Sequence, residues 1–312
     1  MKIYILYARE NWITDELAKE WINNNREIHT DNIDEADTIW VLSDYIINKI
    51  PFYYLKKKRV ITSIHHITPW KVTDNVKRHF KILNDITDIF HSICDKTTKE
   101  MRKYFNKPIR TLPFCHNEKV WYNITDKYGL RCKYGFRPDD FLVGSFQKDT
   151  EGASVLNGTY KPKLEKGPDL FVEAVRLLKQ EKYPNLRVVL TGYYRQYIIG
   201  ELNRHSIEYV YLERCNFKEL NELYNTLDLY IVASRVEGGP RAINECSLTR
   251  TPILSTDVGI ASTLLHSKSI FDMNDISSIF KCDTDVNYGE EMAQKYTIKD
   301  YMHKFTNKLF KK

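Results

Sequence analysis

The sequence predicts an α/β protein with two doubly wound, Rossmann-like domains. The chain has 312 residues, which is long for one hydrophobic core and suits two domains of roughly 100 to 200 residues each. Strand-like and helix-like segments alternate in two series with an irregular polar stretch between them, a pattern typical of parallel sheets with helical crossovers. Strands of the second series are continuous apolar runs, which indicates that helices cover both faces of its sheet.

The first series predicts an N-terminal domain over residues 1–120. Its first segment, "KIYILYA", is a short apolar run with one lysine and indicates a β-strand instead of a signal peptide. The later segments alternate between helix-like and strand-like patterns: "TDELAKEWINNN", "TIWVLSD", "RVITSIHH", "NVKRHFKILNDI", "DIFHSIC" and "DKTTKEMRKYF". The alternation stops at "IRTLPFCHNEKVWY", so we predict a linker over residues 121–139.

The second series predicts a C-terminal domain over residues 140–285. It begins with "FLVGSF" and continues with "GPDLFVEAVRLLKQEKYPN", "LRVVLTG", "IEYVYLE", "FKELNELYNTL", "DLYIVAS", "PRAINECSLTR" and "PILSTDV". The final segment, "GEEMAQKYTIKDYMHKFTNKLF", predicts one or two closing helices over residues 286–312. We expect these helices to pack back toward the N-terminal domain.

Charge and composition exclude several classes of protein. The 47 basic and 41 acidic side chains give a net charge of +6, a surplus too small to indicate a nucleic-acid-binding protein. No apolar stretch approaches the roughly 18 to 20 residues of a membrane span. We expect a cytoplasmic protein with at most a peripheral membrane association. The cluster "KKKR" at 56–59 has two open interpretations: a solvated loop, or a patch that contacts anionic lipid or an acidic acceptor.

The stretch "SRVEGGPRAINECS", residues 234–247, has the chemistry of a phosphate-binding loop. It follows the apolar strand "DLYIVA", Gly238 and Gly239 permit a tight turn, and Pro240 suits the first position of a helix because an N–H has no partner there. Ligands of parallel sheets bind at the carboxyl ends of the strands, and helix N-termini attract anions. The segment 234–241 therefore predicts a phosphate cradle.

Two carboxylates flank this cradle. Glu245 lies about one and a half turns into the predicted helix, where it can accept two hydrogen bonds from a ribose diol, and Glu237 can bind the hydroxyls of a second sugar. A simpler interpretation makes Glu237 a solvated turn residue and pairs Arg241 with Glu245 as an exposed i,i+4 ion pair worth about a few tenths of a kcal/mol. The segment alone leaves both interpretations open.

The second domain resembles the retaining, nucleotide-sugar-dependent glycosyltransferases of family four, which are glycosyl transferases of group 1 with the two-domain GT-B fold. The resemblance lies in Ser234, then Glu237 with Gly238, then Glu245, and then a strand followed by "STDVGIA". "EKGPDLFVEAVRLL" is similar to the family's helix start, and "YLERCNFKELNELYNTLDLYIVAS" has its order of strand, helix and strand. The resemblance implies that two Rossmann-like domains face each other across a cleft.

In this family the donor sugar is held by residues that match several positions of the second domain. The resemblance implies that Glu237 contacts the hydroxyls of the donor sugar, that Glu245 holds the ribose, and that Lys166 neutralises the diphosphate. An exposed lysine at a helix start is the alternative for Lys166. Further phosphate contacts are implied for the backbone at the start of the predicted helix that follows the glycine pair: Gly238, Gly239, Pro240, Arg241 and Ala242.

One cation of the family pattern is missing. The family places an arginine directly after the strand glycine that corresponds to Gly144, and Ser145 stands there in this sequence. Lys148 and Arg241 are the candidates to replace it, with Lys148 ranked first. The insertion "QKDTEGASVLNGTYKPKLE" separates Lys148 from Lys166 more widely than usual, and we treat this insertion as a candidate lid.

The resemblance also indicates where the nucleotide base binds. Backbone groups in the loop after the fourth strand hold the base in such enzymes, and that loop corresponds to Cys215 with its neighbours Arg214 and Asn216. Gly192 ends the strand "LRVVLTG" and lets the backbone approach a ligand. Tyr193 is a candidate for stacking on the ligand or for a plain surface residue.

The first domain resembles the family in architecture and in "SIHHITPW". His65 and His66 correspond to the position that faces the donor sugar and the acceptor, so both are candidate catalytic residues, with a structural histidine as the alternative. The family's Gly-Gly loop after the first strand is replaced by "ARENW". Arg9, Asn11 and Trp12 are therefore expected on the acceptor side, where an aromatic face can stack on a sugar ring.

Three other functions fit part of the pattern. A glycoside hydrolase also uses two carboxylates, roughly 5 to 10 Å apart, but it needs no phosphate cradle. Metal-dependent transferases use an Asp-x-Asp motif; the string from Asp283 to Asp285 fits it but follows the last recognisable strand, so we predict no essential metal. A non-catalytic protein that binds sugar nucleotides or glycans stays open, because the arginine and the usual acceptor loop are absent.

The sequence thus predicts a metal-independent, retaining hexosyltransferase. It is expected to move a hexose from a UDP-, GDP- or other nucleotide-diphosphate sugar to a glycan or lipid-linked acceptor, as in polysaccharide biosynthesis. We expect no cofactor and no nucleic-acid partner.

Overall fold

The computed structural model of the protein describes residues 1–10, 13–156 and 159–311. Its β-strands are β1 (Ile3–Leu6), β2 (Thr38–Val41), β3 (Arg59–Ile64), β4 (Ile89–Ser92), β5 (Ile109–Thr111), β6 (Phe141–Ser145), β7 (Thr150–Leu156), β8 (Thr159–Pro162), β9 (Leu186–Thr191), β10 (Tyr209–Leu212), β11 (Leu229–Val232), β12 (Ile253–Thr256) and β13 (Ile270–Phe271). Its α-helices are α1 (Ile13–Asn24), α2 (Phe52–Lys57), α3 (Asp74–Ile86), α4 (Asp95–Met101), α5 (Lys127–Lys133), α6 (Pro168–Glu181), α7 (Gln196–Arg204), α8 (Phe217–Thr226), α9 (Arg241–Thr249), α10 (Ala261–Leu264), α11 (Val286–Gln294) and α12 (Ile298–Phe310). None of the helices in these ranges has the length and apolar character needed to cross a bilayer.

The chain divides into two compact units. Unit 1 comprises residues 1–115 together with 298–312, and unit 2 comprises residues 116–297. The chain therefore changes unit before the predicted boundary at 120. The predicted closing segment is shared, because α11 belongs to unit 2 and α12 belongs to unit 1.

The residues predicted as a linker, 121–139, lie in unit 2 and include α5. This helix has no buried residue, so its sequence lacks the apolar stripe that marks most helices. Ion pairs attach it instead: Lys127 Nζ lies 2.9 Å from Asp228 Oδ1, and Arg131 pairs with the other oxygen of the same carboxylate. Because ion pairs instead of apolar packing hold this helix in place, its sequence resembles that of a polar linker.

Unit 1 contains one parallel sheet in the order β1-β2-β3-β4-β5. After α1 the chain first passes the outer side of β1, where His29 forms a parallel bridge with Ile3. It then returns across β1 to form β2. The direction of winding therefore reverses between β1 and β2, and such a reversal is where open α/β sheets bind ligands.

Helices cover both faces of this sheet. Ile39 of β2 packs in a core cluster with Leu55 of α2. Trp40, the next residue, points to the opposite face because side chains alternate along a strand. There its ring lies 5.7 Å from that of Trp21 in α1 and 5.5 Å from that of Phe310 in α12. Unit 1 is therefore doubly wound, with α12 as part of its second helical layer.

Unit 2 contains a parallel sheet in the order β10-β9-β6-β11-β12-β13. The chain winds from β6 outward through β9 to β10, then returns to the other side of β6 with β11 and winds outward again. The reversal lies between β6 and β11, so the carboxyl ends of these two strands mark the ligand-binding position of the fold. The insertion after β6 forms the antiparallel hairpin β7-β8.

Candidate functional site

The carboxyl end of β11 is in close contact with the start of α6. Gly167 caps α6 with φ of 60°, and a Cβ at this position would lie 1.8 Å from the carbonyl oxygen of Ala233. Only glycine permits this approach. The contact brings Lys166, the residue before the glycine, to the loop that follows β11.

Lys166 and Glu237, two predicted site residues, form an ion pair in this loop. Lys166 Nζ lies 2.5 Å from Glu237 Oε2, and the Ser234 hydroxyl donates to Glu237 Oε1 at 2.5 Å. Both charged side chains are mostly buried, with 19% and 10% of their surface exposed. The carboxylate is fixed at both oxygens, so Glu237 is not a solvated turn residue.

The loop from Glu237 to α9 differs in detail from the predicted turn. Neither Gly238 nor Gly239 has a positive φ, so the glycine pair is not required for a left-handed turn. The glycine that the backbone requires is Gly259, with φ of 53°, where a Cβ would lie 2.4 Å from the Gly238 carbonyl oxygen. Pro240 is the N-cap of α9 and not its first residue, which is Arg241.

Glu245 lies on α9 and is 9% exposed. The hydroxyl of Tyr224 donates to its Oε2 at 2.7 Å, and Arg241 Nε donates to its Oε1 at 3.3 Å. The predicted i,i+4 pair of Arg241 and Glu245 is present, but it is largely buried and not exposed. Burial, followed by the neighbouring Glu245 carboxylate, raises the pKa of Tyr224 well above its usual value, so the phenol remains a hydrogen-bond donor.

Glu245 lines a cavity of about 550 Å³ at the carboxyl ends of β6, β9 and β10. Five residues named in the sequence analysis share this cavity with it: Gly192, Tyr193, Arg214, Cys215 and Asn216. Its remaining walls come from the carboxyl end of β9, from the loops after β6 and β10, and from α8: Phe146, Thr191, Glu213, Glu219, Leu220 and Tyr224. The structure therefore brings the predicted ribose residue and the predicted base loop to one cavity.

Aromatic and backbone groups form the wall of this cavity near the predicted base loop. The Arg214 guanidinium lies 5.6 Å from the centre of the Tyr193 ring, a cation–π distance. Gly192 has φ of 87°, and its carbonyl oxygen accepts a hydrogen bond from Tyr211 at 2.9 Å. Burial raises the pKa of Cys215 to about 11, so its side chain is a neutral thiol.

Arg195 is a buried cation that the sequence analysis missed. It is 0% exposed and donates to the Ser145 carbonyl oxygen at 2.6 Å, to the Ser145 hydroxyl at 3.0 Å and to the Thr191 carbonyl oxygen at 2.7 Å. Its Nε lies 2.5 Å from Asp149 Oδ2. Arg195 therefore ties together the ends of β6 and β9 beneath Ser145, the position where the family pattern has arginine. No local sequence motif indicates this role, because Ser145 and Asp149 lie 50 and 46 residues before Arg195 in the chain.

The insertion is anchored at its base. Asp149 and Thr150 are both fully buried, and the Tyr194 carbonyl oxygen accepts hydrogen bonds from both of their amides at 3.2 and 3.0 Å. Lys148, the first-ranked replacement cation, has its ammonium 4.1 Å from the centre of the Tyr194 ring. The role of the hairpin as a lid remains a prediction.

In unit 1, His65 follows β3 and His66 is exposed. His65 Nε2 lies 2.8 Å from the Leu42 carbonyl oxygen, so this nitrogen carries the proton, and its ring stacks on Phe114 at 5.5 Å. Burial lowers the pKa of His65 below its usual value. The histidine is therefore a neutral imidazole with a fixed tautomer at neutral pH.

The predicted acceptor-side residues lie after β1. Arg9 has φ of 60°, and its amide donates to Asp15 Oδ1 at 3.0 Å. Asn11 and Trp12 lie outside the described residues. Tyr45, which no sequence motif indicates, is 56% exposed, and its hydroxyl lies 3.5 Å from Glu10 Oε2 beside the winding reversal of unit 1.

The Asp-x-Asp string has structural partners. Lys268 Nζ lies 3.5 Å from Asp283 Oδ2 and 3.3 Å from Asp285 Oδ2. Asp285 also caps α11 by accepting a hydrogen bond from the Tyr288 amide at 3.1 Å. Within the described residues, no group of three or more His, Cys, Asp or Glu side chains has the arrangement of a metal site.

Comparison with protein families gives one match in the second unit. Residues 159–279 match the family described as glycosyl transferases group 1. No curated protein matches the sequence.

Solved structures share the fold over the whole chain at low identity. HepE from Anabaena in complex with UDP and glucose superposes with a TM-score of 0.78 at 13% identity, over 99% of both chains. Sucrose-phosphate synthase from Thermosynechococcus elongatus gives 0.70 at 13% identity, over 96% of this chain and 79% of that one. WaaG, a glycosyltransferase involved in lipopolysaccharide biosynthesis, gives 0.62 at 10% identity over both full chains. The predicted fold class is confirmed: the chain has the GT-B fold, and with the group 1 match this supports a GT-B glycosyltransferase.

Proposed function

We propose that the protein is a retaining glycosyltransferase that moves a hexose from UDP-hexose to a glycan or lipid-linked acceptor. The observation that carries this proposal is the pairing of Lys166 with Glu237 beside the start of α9, next to the cavity that Glu245 lines. UDP is the proposed nucleotide because HepE, which has the same fold, was solved with UDP and with UDP-glucose.

The diphosphate is proposed to bind between Lys166 and the first turn of α9. The amides of a first helical turn have no partners within the helix, and the helix dipole places positive potential there. Arg241 opens this turn, and its Nη1 is buried without a hydrogen-bond partner. These groups supply positive charge where the leaving diphosphate becomes negative, and we propose that no metal ion is needed.

The ribose and the base are proposed to occupy the cavity at the ends of β9 and β10. Glu245 accepts hydrogen bonds from the ribose diol, with its carboxylate directed by Tyr224. The base binds against the backbone near Cys215 and Gly192, which line the same cavity. Glu237, at the other end of the site, binds hydroxyls of the hexose.

The proposed reaction breaks the bond between the anomeric carbon and the diphosphate oxygen and forms a bond from that carbon to the acceptor oxygen. The acceptor attacks from the face that the diphosphate leaves, so the anomeric configuration is retained. The proton of the acceptor hydroxyl passes to the departing phosphate, so no dedicated protein base is required. His65 is proposed as a neutral hydrogen-bonding group for the sugar, and His66 and Arg9 as contacts on the acceptor side.

UDP release from UDP-glucose and related donors tests this function. We expect slow hydrolysis or transfer by the wild type and turnover about 100-fold lower in Glu237→Gln. NMR should show that the product of transfer keeps the donor's anomeric configuration. Tight UDP binding with no turnover of any UDP-hexose would instead indicate a non-catalytic binding protein of the same fold. No binding of any nucleoside diphosphate would reject both.

A further inference from the structure

The positive charge of the chain is concentrated in unit 1. Residues 1–115 and 298–312 contain 24 basic and 16 acidic side chains, a net charge of +8, whereas residues 116–297 contain 23 basic and 25 acidic side chains, a net charge of −2. The net charge of the whole chain is small because the negative charge of unit 2 offsets part of the strongly positive charge of unit 1. An excess of this kind attracts a polyanionic partner.

Much of this charge lies at the amino edge of the unit 1 sheet. Lys56, Lys57 and Lys58 end α2 directly before β3 begins at Arg59. On the other face of the sheet, α12 ends at the same edge, because the Arg59 guanidinium donates to the Phe310 and Lys311 carbonyl oxygens at 2.8 and 2.7 Å. The cluster "KKKR" is thus part of a wider basic edge.

Further cations extend this edge. Arg110 donates to the carbonyl oxygens of Lys308 and Leu309 at 2.9 and 2.8 Å, and the side chains of Lys308 and Lys311 are exposed. Three aspartates also lie near this edge. The Asp34 carbonyl oxygen accepts a hydrogen bond from Lys58 Nζ at 2.6 Å, and the Asp88 carboxylate accepts one from the Val60 amide at 2.7 Å. Asp37 is held by the Lys2 amide at 2.7 Å.

Exposed aromatic rings adjoin the lysines of α2. Phe52 and Tyr53 are 48% and 58% exposed, although their helix buries Leu55 in the core. Lys56 Nζ lies 4.9 Å from the centre of the Phe52 ring, and Lys57 Nζ lies 4.2 Å from that of Tyr53. Each ammonium is therefore paired with an exposed ring.

We infer that this surface, defined by Phe52, Tyr53, Lys56, Lys57, Lys58, Lys308 and Lys311 and here called the amino-edge patch, docks on an anionic lipid bilayer. Aromatic rings beside lysines suit the bilayer interface, where the ring enters the headgroup layer and the ammonium contacts lipid phosphate. An acidic glycan bound as a substrate fits less well. Substrates of this fold bind at the carboxyl ends of the strands, and the lysines of the patch lie at the amino ends.

Vesicle flotation tests the inference without reference to catalysis. The full chain is mixed with neutral phosphatidylcholine vesicles or with vesicles that contain about 30% phosphatidylglycerol, at low and high salt. We expect binding to the anionic vesicles alone, weakened by salt because the attraction is screened. Equal binding to both kinds of vesicle, or to neither, would overturn the inference.

Two paired variants and a matched control locate the surface. Lys56→Gln/Lys57→Gln should lower the partition coefficient roughly 30-fold, since each lysine near an anionic surface contributes about 1 kcal/mol. Phe52→Ser/Tyr53→Ser should also lower it. Lys77→Gln/Lys81→Gln removes two exposed lysines from α3 and should leave it unchanged; an equal loss in this control would contradict the patch.

Two further measurements separate the outcomes. The urea unfolding midpoint and UDP-hexose turnover in solution should be the same in the patch variants and the wild type. Vesicle binding requires no turnover, so it can be measured even if the proposed function fails. Binding to dextran sulfate that depends on Lys56 and Lys57, without vesicle binding, would assign the patch to an acidic polymer and reject the bilayer.

Discussion

Tyr224 donates a hydrogen bond to Glu245 Oε2 at 2.7 Å, and this contact connects α8 to the acid that lines the candidate nucleotide cavity. Both side chains are largely buried, with 2% and 9% of their surface exposed. Tyr224 packs further against Tyr230 and Phe146, at ring distances of 5.4 and 4.8 Å. The tyrosine is therefore rigid, and it positions a carboxylate that is proposed to hold the ribose.

Tyr224→Phe should weaken UDP binding about tenfold, because it removes one hydrogen bond to a buried charged acceptor. Calorimetric titration checks this. UDP that lacks the 2′- and 3′-hydroxyls should bind the variant and the wild type equally, since Glu245 then has no diol to hold. An equal loss for both ligands would mean that Tyr224 acts only through the fold. Tyr128→Phe, at a 67% exposed position, is the control.

Lys166→Met and Glu237→Gln should separate phosphate binding from sugar chemistry. Removal of the Lys166 ammonium should weaken UDP binding about 30-fold or more, as expected for a partly desolvated charge pair, and leave uridine binding unchanged. Glu237→Gln should keep UDP affinity and lower turnover about 100-fold. Lys161→Met, at a 64% exposed side chain, is the control for the first variant. A loss of uridine binding in Lys166→Met would place the lysine elsewhere in the site.

Arg195→Met should destabilise the protein by about 3 to 5 kcal/mol, because it leaves the Asp149 carboxylate buried without its partner. Burial already raises the pKa of Asp149 despite the arginine. Urea unfolding checks the change in the free energy of unfolding. The double variant Asp149→Leu/Arg195→Met should recover much of the free energy of unfolding that Arg195→Met loses. A double variant as unstable as Arg195→Met would show that the bonds to Ser145 and Thr191 carry the effect.

His91 should make the protein less stable as the pH falls. It is fully buried between Ser63 and the Leu112 carbonyl oxygen, at 2.8 Å from each, and burial lowers its pKa to about 4. Between about pH 6.5 and pH 4 the unfolded chain binds a proton that the folded chain does not, which lowers the free energy of unfolding by roughly 3 kcal/mol. The stability that depends on neutral His91 is therefore fully present above about pH 6.5, and it is lost progressively as the pH falls from about 6.5 to about 4.

His91→Gln should flatten this dependence. Between about pH 7 and pH 4.5 the variant should lose roughly 2 kcal/mol less than the wild type, as measured by urea unfolding with tryptophan fluorescence. His303→Gln, at an exposed position of α12, should behave like the wild type. Parallel curves for His91→Gln and the wild type would show that His91 titrates normally in the folded state.

The sequence was sufficient to predict the fold class because the strands of unit 2 are apolar runs and its loops carry local signals. Gly167 in "EKGPDLFVEAVRLL" is one example: the local motif resembles the family's helix start, and in the structure this glycine caps α6 against Ala233. The spacing from Glu237 to Glu245 is similarly local.

The residues that the sequence did not reveal act over long separations. Tyr224 reaches Glu245 from another helix, and Arg195 joins two strands to the insertion through Asp149. A tyrosine in an amphipathic helix and an arginine after a strand look like ordinary surface residues until the fold is known. The linker prediction over 121–139 differs from the structure for a related reason, since α5 is held by charges instead of an apolar face.

We propose that unit 2 binds the donor at the reversal between β6 and β11, and a crystal structure of the protein with bound UDP tests this placement. We predict the diphosphate beside the first turn of α9, with a phosphate oxygen about 2.7 to 2.9 Å from Lys166 Nζ and the ribose hydroxyls on Glu245. UDP bound at the opposite edge, in the cavity lined by Arg131 and Asp228, or no bound UDP at saturating concentration, would contradict the account.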